Sequence, residues 1–157
     1  MRTSIPFFLL TLGLLIFSGV PGALAQQSQE KTKQTVAMSQ AVYEKLTEIQ
    51  ELVEAKDYQA ASAQLRELQQ RSGLSPYETA QVWNLTGYSF YLQERYADAI
   101  NAYERVLQQP ELPEALMLST LKTKAQLQFT QEDYEGALRT VERLVEQVSE
   151  PAADIYM

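Results

Sequence analysis

Cysteine and histidine are both absent from this chain of 157 residues, and proline and glycine are scarce, with six residues of each. Without cysteine, no disulfide can hold the fold together, so the burial of a core has to stabilise it. Without histidine, the chain lacks the most common general base and the most common metal ligand. These two absences argue against a metal site and against most hydrolytic enzymes.

Sequence motifs of catalysis are missing as well. The chain has no nucleophile elbow, no phosphate-binding loop and no dinucleotide-binding fingerprint. Ser89 and Ser119 have no histidine that could serve as their base. The adjacent acids Glu132 and Asp133 could form a metal or acid–base pair, but they precede a predicted helix, where acids favour the helix dipole. We therefore expect no catalytic, cofactor-binding or metal-binding residue, and a carboxylate-based hydrolase is the one enzyme class left open.

The charge balance is acidic, with 20 Asp and Glu residues against 13 Lys and Arg residues and a net charge of −7. An acidic chain repels the phosphates of nucleic acids and the headgroups of anionic lipids. We therefore expect neither as a partner. The charge suits a basic protein partner, although acidic charge also simply keeps many proteins soluble.

The N-terminal residues have the features of a secretory signal peptide. Arg2 is followed by an apolar run from Ile5 to Phe17, and Ala23-Leu24-Ala25 has the small-x-small pattern of a cleavage site. The alternative is an uncleaved membrane anchor, but the run is shorter than the ~20 residues of a spanning helix. Residues 1–25 are therefore a predicted signal peptide, cleaved before Gln26. No cysteine follows it, which excludes a lipid-anchored lipoprotein.

One short sequence motif recurs at a fixed distance along the chain. Tyr58, Tyr96 and Tyr134 are evenly spaced along the chain, and each is followed at the third position by an alanine: Ala61, Ala99 and Ala137. We call the distance from Tyr58 to Tyr96 the repeat period. A fixed period of several tens of residues is typical of a repeat array, whose units stack and present a long concave surface. The period therefore favours a binding function.

Apolar residues recur in steps of three and four over six stretches, which predicts six helices and no strand. Ser39 is the expected N-cap of the first helix, and Gly73 is expected to stop the second. The clearest start is Ser75-Pro76-Tyr77-Glu78, where Glu78 completes a capping box around Ser75. The third helix runs to about Leu92, the fourth stops before Pro110, and the fifth runs from Pro113 to about Thr130. The predicted class is all-α, in antiparallel helix pairs.

The middle unit resembles the tetratricopeptide repeat, through Trp83, Gly87, Phe90, Tyr96, Ala99, Tyr103 and Pro110, and departs from it where Thr86 stands in place of a leucine. The resemblance implies an α-solenoid of about three helix pairs. Gly87 and Ala99 are small, so we expect the paired helices to approach closely there, with Trp83 in the core. The residues expected to pack the repeats are Tyr58, Ala61, Trp83, Gly87, Phe90, Tyr96, Ala99, Tyr103, Ala125, Tyr134 and Ala137.

The flanking units match this pattern less well, as terminal repeats often do. In the third unit Gln128 stands where the pattern has an aromatic residue, and the first unit lacks both Trp and Gly. The expected organisation is a signal peptide (1–25), a flexible polar leader (26–38) and an array over 39–150, with units at about 39–73, 75–110 and 113–149. Pro151 follows Pro113 by one repeat period. Residues 151–157 are therefore expected to start a further helix of a longer array.

A finer resemblance lies in Val82-Trp83-Asn84-Leu85, Gln93-Glu94-Arg95-Tyr96 and Gln131-Glu132-Asp133-Tyr134. These stretches look like those of exported tetratricopeptide proteins of marine gammaproteobacteria, which tend to be encoded beside the TonB, ExbB and ExbD components of envelope energy transduction. This resemblance implies a periplasmic compartment and a protein partner of that system. It implies no catalytic residue and no cofactor.

In such arrays the first helix of each pair lines the groove. The residues expected there are Tyr43, Leu46, Gln50, Gln81, Asn84, Tyr88, Tyr91, Lys122, Gln126 and Phe129. Tyrosines flanked by amides suit peptide recognition, because the ring offers apolar area while hydroxyl and amide groups satisfy a peptide backbone. The alternative for Tyr88 and Tyr91 is packing against neighbouring helices. Lys122 and Lys124 could bind a carboxylate or simply lie on a solvated face.

The sequence therefore predicts a periplasmic interaction module that binds a protein segment, with a TonB-type complex as its expected setting. A cell-wall or envelope assembly scaffold with the same fold is an alternative. An enzyme, or an accessory to one, is a third.

Overall fold

The computed structural model of the chain describes residues 37–149. Over that range it has six α-helices and no strand: α1 (Gln40–Glu54), α2 (Tyr58–Gln70), α3 (Pro76–Leu92), α4 (Tyr96–Leu107), α5 (Glu114–Thr130) and α6 (Tyr134–Ser149). Each helix coincides with a stretch of helical spacing, so the predicted all-α class is confirmed. The predicted signal peptide, nearly all of the leader and the further helix expected at 151–157 lie outside the described residues.

The helices pack mainly on their neighbours in the sequence. Each helix contacts the next one along the chain, and α1 also contacts α3. Contacts of this nearest-neighbour kind are typical of an α-solenoid, in which each unit contacts only adjacent units. No helix within residues 37–149 is both long enough and apolar enough to cross a membrane.

The same turn joins the two helices of every pair. Its left-handed residue is Lys56, Glu94 or Glu132, with φ of 62°, 58° and 59°. The N–H of the next residue then donates back to a carbonyl of the preceding helix, in the pairs Asp57–Leu52, Arg95–Phe90 and Asp133–Gln128, at 2.9–3.0 Å. This is the Schellman arrangement, which usually has glycine at the left-handed position. The backbone geometry of the turns therefore repeats with the same period as the sequence.

The first turn of α3 carries the predicted capping box. The backbone N–H of Glu78 donates to the Ser75 hydroxyl at 3.1 Å, and the Ser75 N–H donates to the Glu78 carboxylate at 2.8 Å. The expectation for Ser39 is corrected. Ser39 precedes α1 as its N-cap residue but makes no side-chain cap. Its hydroxyl and backbone N–H instead both donate to Oε1 of Glu78, at 2.5 and 2.9 Å. One carboxylate therefore joins the starts of α1 and α3.

Two apolar clusters form the core. The first joins α1, α2 and α3 through Ile49, Val53, Ala61, Leu65, Leu68 and Val82. The second joins α4 and α5 through Ala99, Tyr103 and Leu127, with Phe90, Tyr96 and Ile100 packed against it. Because each cluster takes side chains from more than one pair, the core runs along the stack of units.

Gly87 does mark a close approach, and the atoms nearest to it belong to Tyr103, one of the residues expected to pack the repeats. A Cβ at Gly87 would lie 2.8 Å from Cε1 and 2.9 Å from Cζ of Tyr103, and the three nearest atoms all belong to that ring. Ala99 is fully buried, yet it is not among these nearest neighbours. The glycine therefore makes room for the Tyr103 ring, because an aromatic side chain reaches further across the helix interface than the methyl of Ala99.

The third pair replaces part of its apolar packing with hydrogen bonds. Gln128 is 7% exposed and Thr140 is 4% exposed. The Thr140 hydroxyl donates to Oε1 of Gln128 at 2.6 Å, and Nε2 of Gln128 donates to the Asp133 carboxylate at 3.2 Å. Gly136 is buried beside them, where a Cβ would collide with Asp133 and Gln128. The amide thus occupies the place of the missing aromatic residue with its polar atoms satisfied.

Two aromatic residues expected in the packing are only partly buried or are exposed. Trp83 is half-buried and lines a cavity with Leu65 and Phe90, on the side of α3 that faces α2 and α4. Tyr134 is 57% exposed and contacts the ring of Phe129 edge-on, with 5.3 Å between centroids. Tyr96, its equivalent one repeat period earlier, is half-buried because α5 packs on α4.

Candidate functional site

A groove runs between α1 and α3, the first helices of the first two pairs. We call it the α1–α3 groove, and its cavity has a volume of about 330 Å³. Nine residues line it: Met38, Tyr43, Leu46, Thr47, Gln50, Gln81, Asn84, Leu85 and Tyr88. Six of these nine are among the ten residues that the sequence analysis places in a partner groove.

The repeat explains why these residues meet. Tyr43 and Gln81 are separated by one repeat period, and so are Leu46 and Asn84, and Gln50 and Tyr88. Equivalent positions on stacked units lie on the same face of the array. The groove therefore repeats one row of positions on two adjacent helices, with an apolar side chain from one helix beside an amide or hydroxyl from the other.

No lining residue is charged, although the chain as a whole is acidic. Tyr43 is 58% exposed and Tyr88 is 40% exposed. The amide of Gln50 donates to Glu54 on its own helix at 2.9 Å, whereas Gln81 and Asn84 make no side-chain hydrogen bond within residues 37–149. The groove thus combines two exposed rings with two free amides, which can bind apolar side chains and backbone groups respectively.

A buried tyrosine supports this surface from below. Burial raises the pKa of Tyr103 to about 12, and the nearby phenols of Tyr88 and Tyr91 contribute to the rise. The Tyr103 hydroxyl therefore stays protonated at any physiological pH. The ring fills the space beside Gly87, so the backbone of α3 under the groove is closely packed.

The other four predicted groove residues lie outside this cavity. Tyr91 stands over Tyr96, with 6.1 Å between ring centroids, and is 45% exposed. Lys122, Gln126 and Phe129 are exposed on α5. Lys124, the second lysine of α5, forms an ion pair with Glu104 of α4 at 2.7 Å. It therefore fixes one helix against another and does not stand free on a solvated face.

Three lining residues were not foreseen: Met38, Thr47 and Leu85. Leu85 lies between Trp83 and Gly87 but is not itself a position of the repeat pattern, so the pattern gives no sign that it lines the groove. Thr47 follows Tyr43 by one helical turn on α1, and this spacing could have placed it at the edge of the groove. Met38 precedes α1, in the stretch assigned to the leader.

Glu78 lies in the first turn of α3 and accepts hydrogen bonds from Ser39, which follows the groove residue Met38 in the chain. Burial raises the pKa of its carboxyl, but the hydrogen bonds from Ser39 and Ser75 outweigh burial and lower the pKa to about 2 from 4.5. The carboxylate is therefore charged at neutral pH, and its hydrogen bonds are made to Ser39 and Ser75 of the same chain. Residues 37–149 contain no group of three or more acids, cysteines or histidines that could hold a metal ion.

A comparison with protein families indicates what kind of helical array this is. A tetratricopeptide repeat model matches residues 46–115. The match covers α2, α3 and α4 entirely, and most of α1. Together with the paired helices, it supports a tetratricopeptide repeat protein with an α-solenoid fold. Tetratricopeptide repeats generally mediate protein–protein interactions and are generally not enzymes. No curated protein and no solved structure gives a significant match to the chain.

Proposed function

We propose that this tetratricopeptide repeat protein binds an extended protein segment in the α1–α3 groove. The observation that carries the proposal is the uncharged lining of the groove, in which Tyr43 and Tyr88 flank the free amides of Gln81 and Asn84. The rings would bind apolar side chains, and the amides would pair with peptide N–H and C=O groups. The segment is therefore expected to have apolar side chains and no charge where it crosses the groove.

The cellular setting is part of the proposal. The apolar N-terminal run and the Ala23-Leu24-Ala25 site support export to the periplasm. The resemblance of three stretches to exported tetratricopeptide proteins encoded near TonB, ExbB and ExbD supports a partner from that class of envelope complex. The acidic charge adds selectivity, because it disfavours acidic partners during encounter.

Export is tested by intact mass. We expect the exported protein to begin at Gln26, after removal of residues 1–25. A chain that still begins at Met1 and fractionates with the membrane would contradict both the cleavage and the periplasmic setting. Groove binding would then still be open to test.

Groove binding is tested with two tyrosines of the same helix. Tyr88 lines the groove and Tyr91 does not, although they are one helical turn apart and similarly exposed, at 40% and 45%. A photoreactive residue in place of Gln81 should crosslink the partner in intact cells, and mass spectrometry of the crosslinked peptide identifies the segment. Tyr88→Ala should abolish the crosslink, and Tyr91→Ala should preserve it.

Two results would refute the groove. One is equal loss of the crosslink in both tyrosine variants while helical circular dichroism stays at the wild-type level. The other is a crosslinked segment that is charged at the residues facing Gln81. The same identification shows whether the partner belongs to a TonB-type complex or to cell-wall assembly.

A further inference from the structure

The last described helix exposes an apolar stripe on one face. Tyr134, Leu138, Val141, Val145 and Val148 follow one another in steps of four, three, four and three, and are 42–61% exposed. We call these five residues the α6 seam. Steps of four and three give a period of 3.5, the spacing by which one helix packs lengthwise against another. An exposed stripe of this kind marks an interaction surface.

The fold itself shows what covers such a face. The equivalents one repeat period earlier on α4 are Tyr96, Ile100, Tyr103 and Leu107, and α5 packs on that helix. Tyr103 and Leu107 are buried, and Leu127 of α5 shares a core cluster with Tyr103. A helix packed on α6 in the same way would cover the matching face.

The charges beside the α6 seam indicate a further property of a helix that would cover it. On α4, Glu104 lies beside the covered face and pairs with Lys124 of α5 at 2.7 Å. Glu142 is the equivalent of Glu104 one repeat period later, and it is exposed without an ion pair to any residue in 37–149. Glu135, two turns before it, flanks the same edge of the seam and pairs with Arg139 of its own helix at 3.8 Å. Glu142 therefore lacks the cation from a neighbouring helix that its counterpart Glu104 has.

We propose that the α6 seam binds one amphipathic helix of a partner protein, with an apolar stripe toward the seam and a Lys or Arg placed to pair with Glu142. A second copy of this chain fits poorly, because antiparallel α6 helices would bring Glu135 and Glu142 against their own like charges. The surface is separate from the α1–α3 groove, so each of the two proposals can be tested without the other.

The chain supplies its own probe. A fluorescent peptide with the sequence of α5, residues 114–130, carries Leu127, which packs in a core cluster with Tyr103 of α4, and Lys124, which pairs with Glu104 of α4. Binding to the full chain is measured by fluorescence anisotropy. We expect saturable binding that weakens by more than about ten-fold in Leu138→Asp, because the seam side chains carry the contact. Leu138 is 59% exposed, so this variant should keep its helical circular dichroism.

A charge swap tests the specific pairing. Glu142→Lys should weaken binding by about five-fold, and a peptide with Lys124→Glu should restore it. The matched control is Glu146→Lys, one turn further along α6 and off the seam, which should bind the original peptide like the wild type. Binding indifferent to Glu142→Lys, or no binding at all, would overturn the proposal.

Two other occupants of the seam are separate outcomes of the same test. A dimer in light scattering that Leu138→Asp dissociates would overturn the proposal, since the seam would then belong to a second copy. Peptide binding that appears only after removal of residues 150–157 would overturn it as well, since the chain itself would then supply the occupant.

Discussion

Protonation of Glu78 should loosen the start of the array, and the structure gives the size of the effect. The folded pKa is about 2, against 4.5 for the free side chain. A depression of this size corresponds to about 3 kcal/mol of stability, at about 1.4 kcal/mol per pKa unit. Because the folded pKa is the lower one, this stability is fully present above pH 4.5. It is lost as the pH falls from 4.5 toward 2.

The variant Glu78→Gln isolates this contribution, because an amide keeps the shape and one acceptor but never carries the charge. Urea unfolding at pH 7 should show the variant to be less stable than the wild type by about 3 kcal/mol. At pH 2 the carboxyl of the folded wild type is about half protonated, so the difference should shrink to a small fraction of that value. The full chain is measured at several pH values, with circular dichroism at each.

A second acid at a helix start serves as the control. Glu114 is in the first turn of α5 and exposed, and Pro113 before it makes no side-chain cap. Glu114→Gln should change stability by less than about 0.5 kcal/mol, as surface substitutions usually do, and with little dependence on pH. A loss in Glu78→Gln that is equal at pH 7 and pH 2 would refute the reasoning. It would mean that the carboxylate charge contributes nothing and that only the shape of the side chain matters.

Three further predictions concern the packing and the turns, and each is checked by thermal or urea unfolding. Gly87→Ala should lower the free energy of unfolding by about 1–2 kcal/mol, because the clash with Tyr103 exceeds the gain in helix propensity. This loss should vanish in a Tyr103→Leu background. The same loss in both backgrounds would show that the ring is not the obstacle. Thr140→Val should lower the free energy of unfolding by about 1–3 kcal/mol, because it leaves Oε1 of Gln128 buried without a donor. Adding Gln128→Leu should recover most of this stability. A further loss instead would mean that the polar pair itself stabilises the fold. Glu94→Gly should stabilise by about 0.5–1 kcal/mol, since glycine adopts φ of 58° without strain; Glu94→Ala is the control, and an equal gain there would speak against backbone strain.

The sequence predicts the helices well because their signals are local. The capping box of Ser75 and Glu78 and the helical spacing of apolar residues each depend on a few neighbouring positions. Six of the groove residues also come together as the repeat implies, since equivalent positions on stacked helices must lie side by side. The sequence places Gly87, Ala99 and Tyr103 in one packing region, but it could not show that the atoms nearest to Gly87 belong to the Tyr103 ring.

Contacts between units were the least predictable. Nothing near Ser39 in the sequence indicates that its hydroxyl contacts Glu78 in the next unit. Lys124 has the appearance of a solvated lysine until α4 brings Glu104 to it. The identical turns were missed because glycine is the usual signal, and here lysine and glutamate hold the left-handed position.

Those identical turns have a mechanical consequence. Each helix pair is a hairpin locked by backbone hydrogen bonds in its turn, in the same geometry three times over. The links between hairpins, residues 71–75 and 108–113, differ from each other in length and sequence. Between hairpins the angle is set by contacts of side chains, such as the hydrogen bonds of Ser39 to Glu78 and the ion pair of Lys124 with Glu104. The walls of the α1–α3 groove belong to two different hairpins, so a ligand that enters it acts on the angle between them.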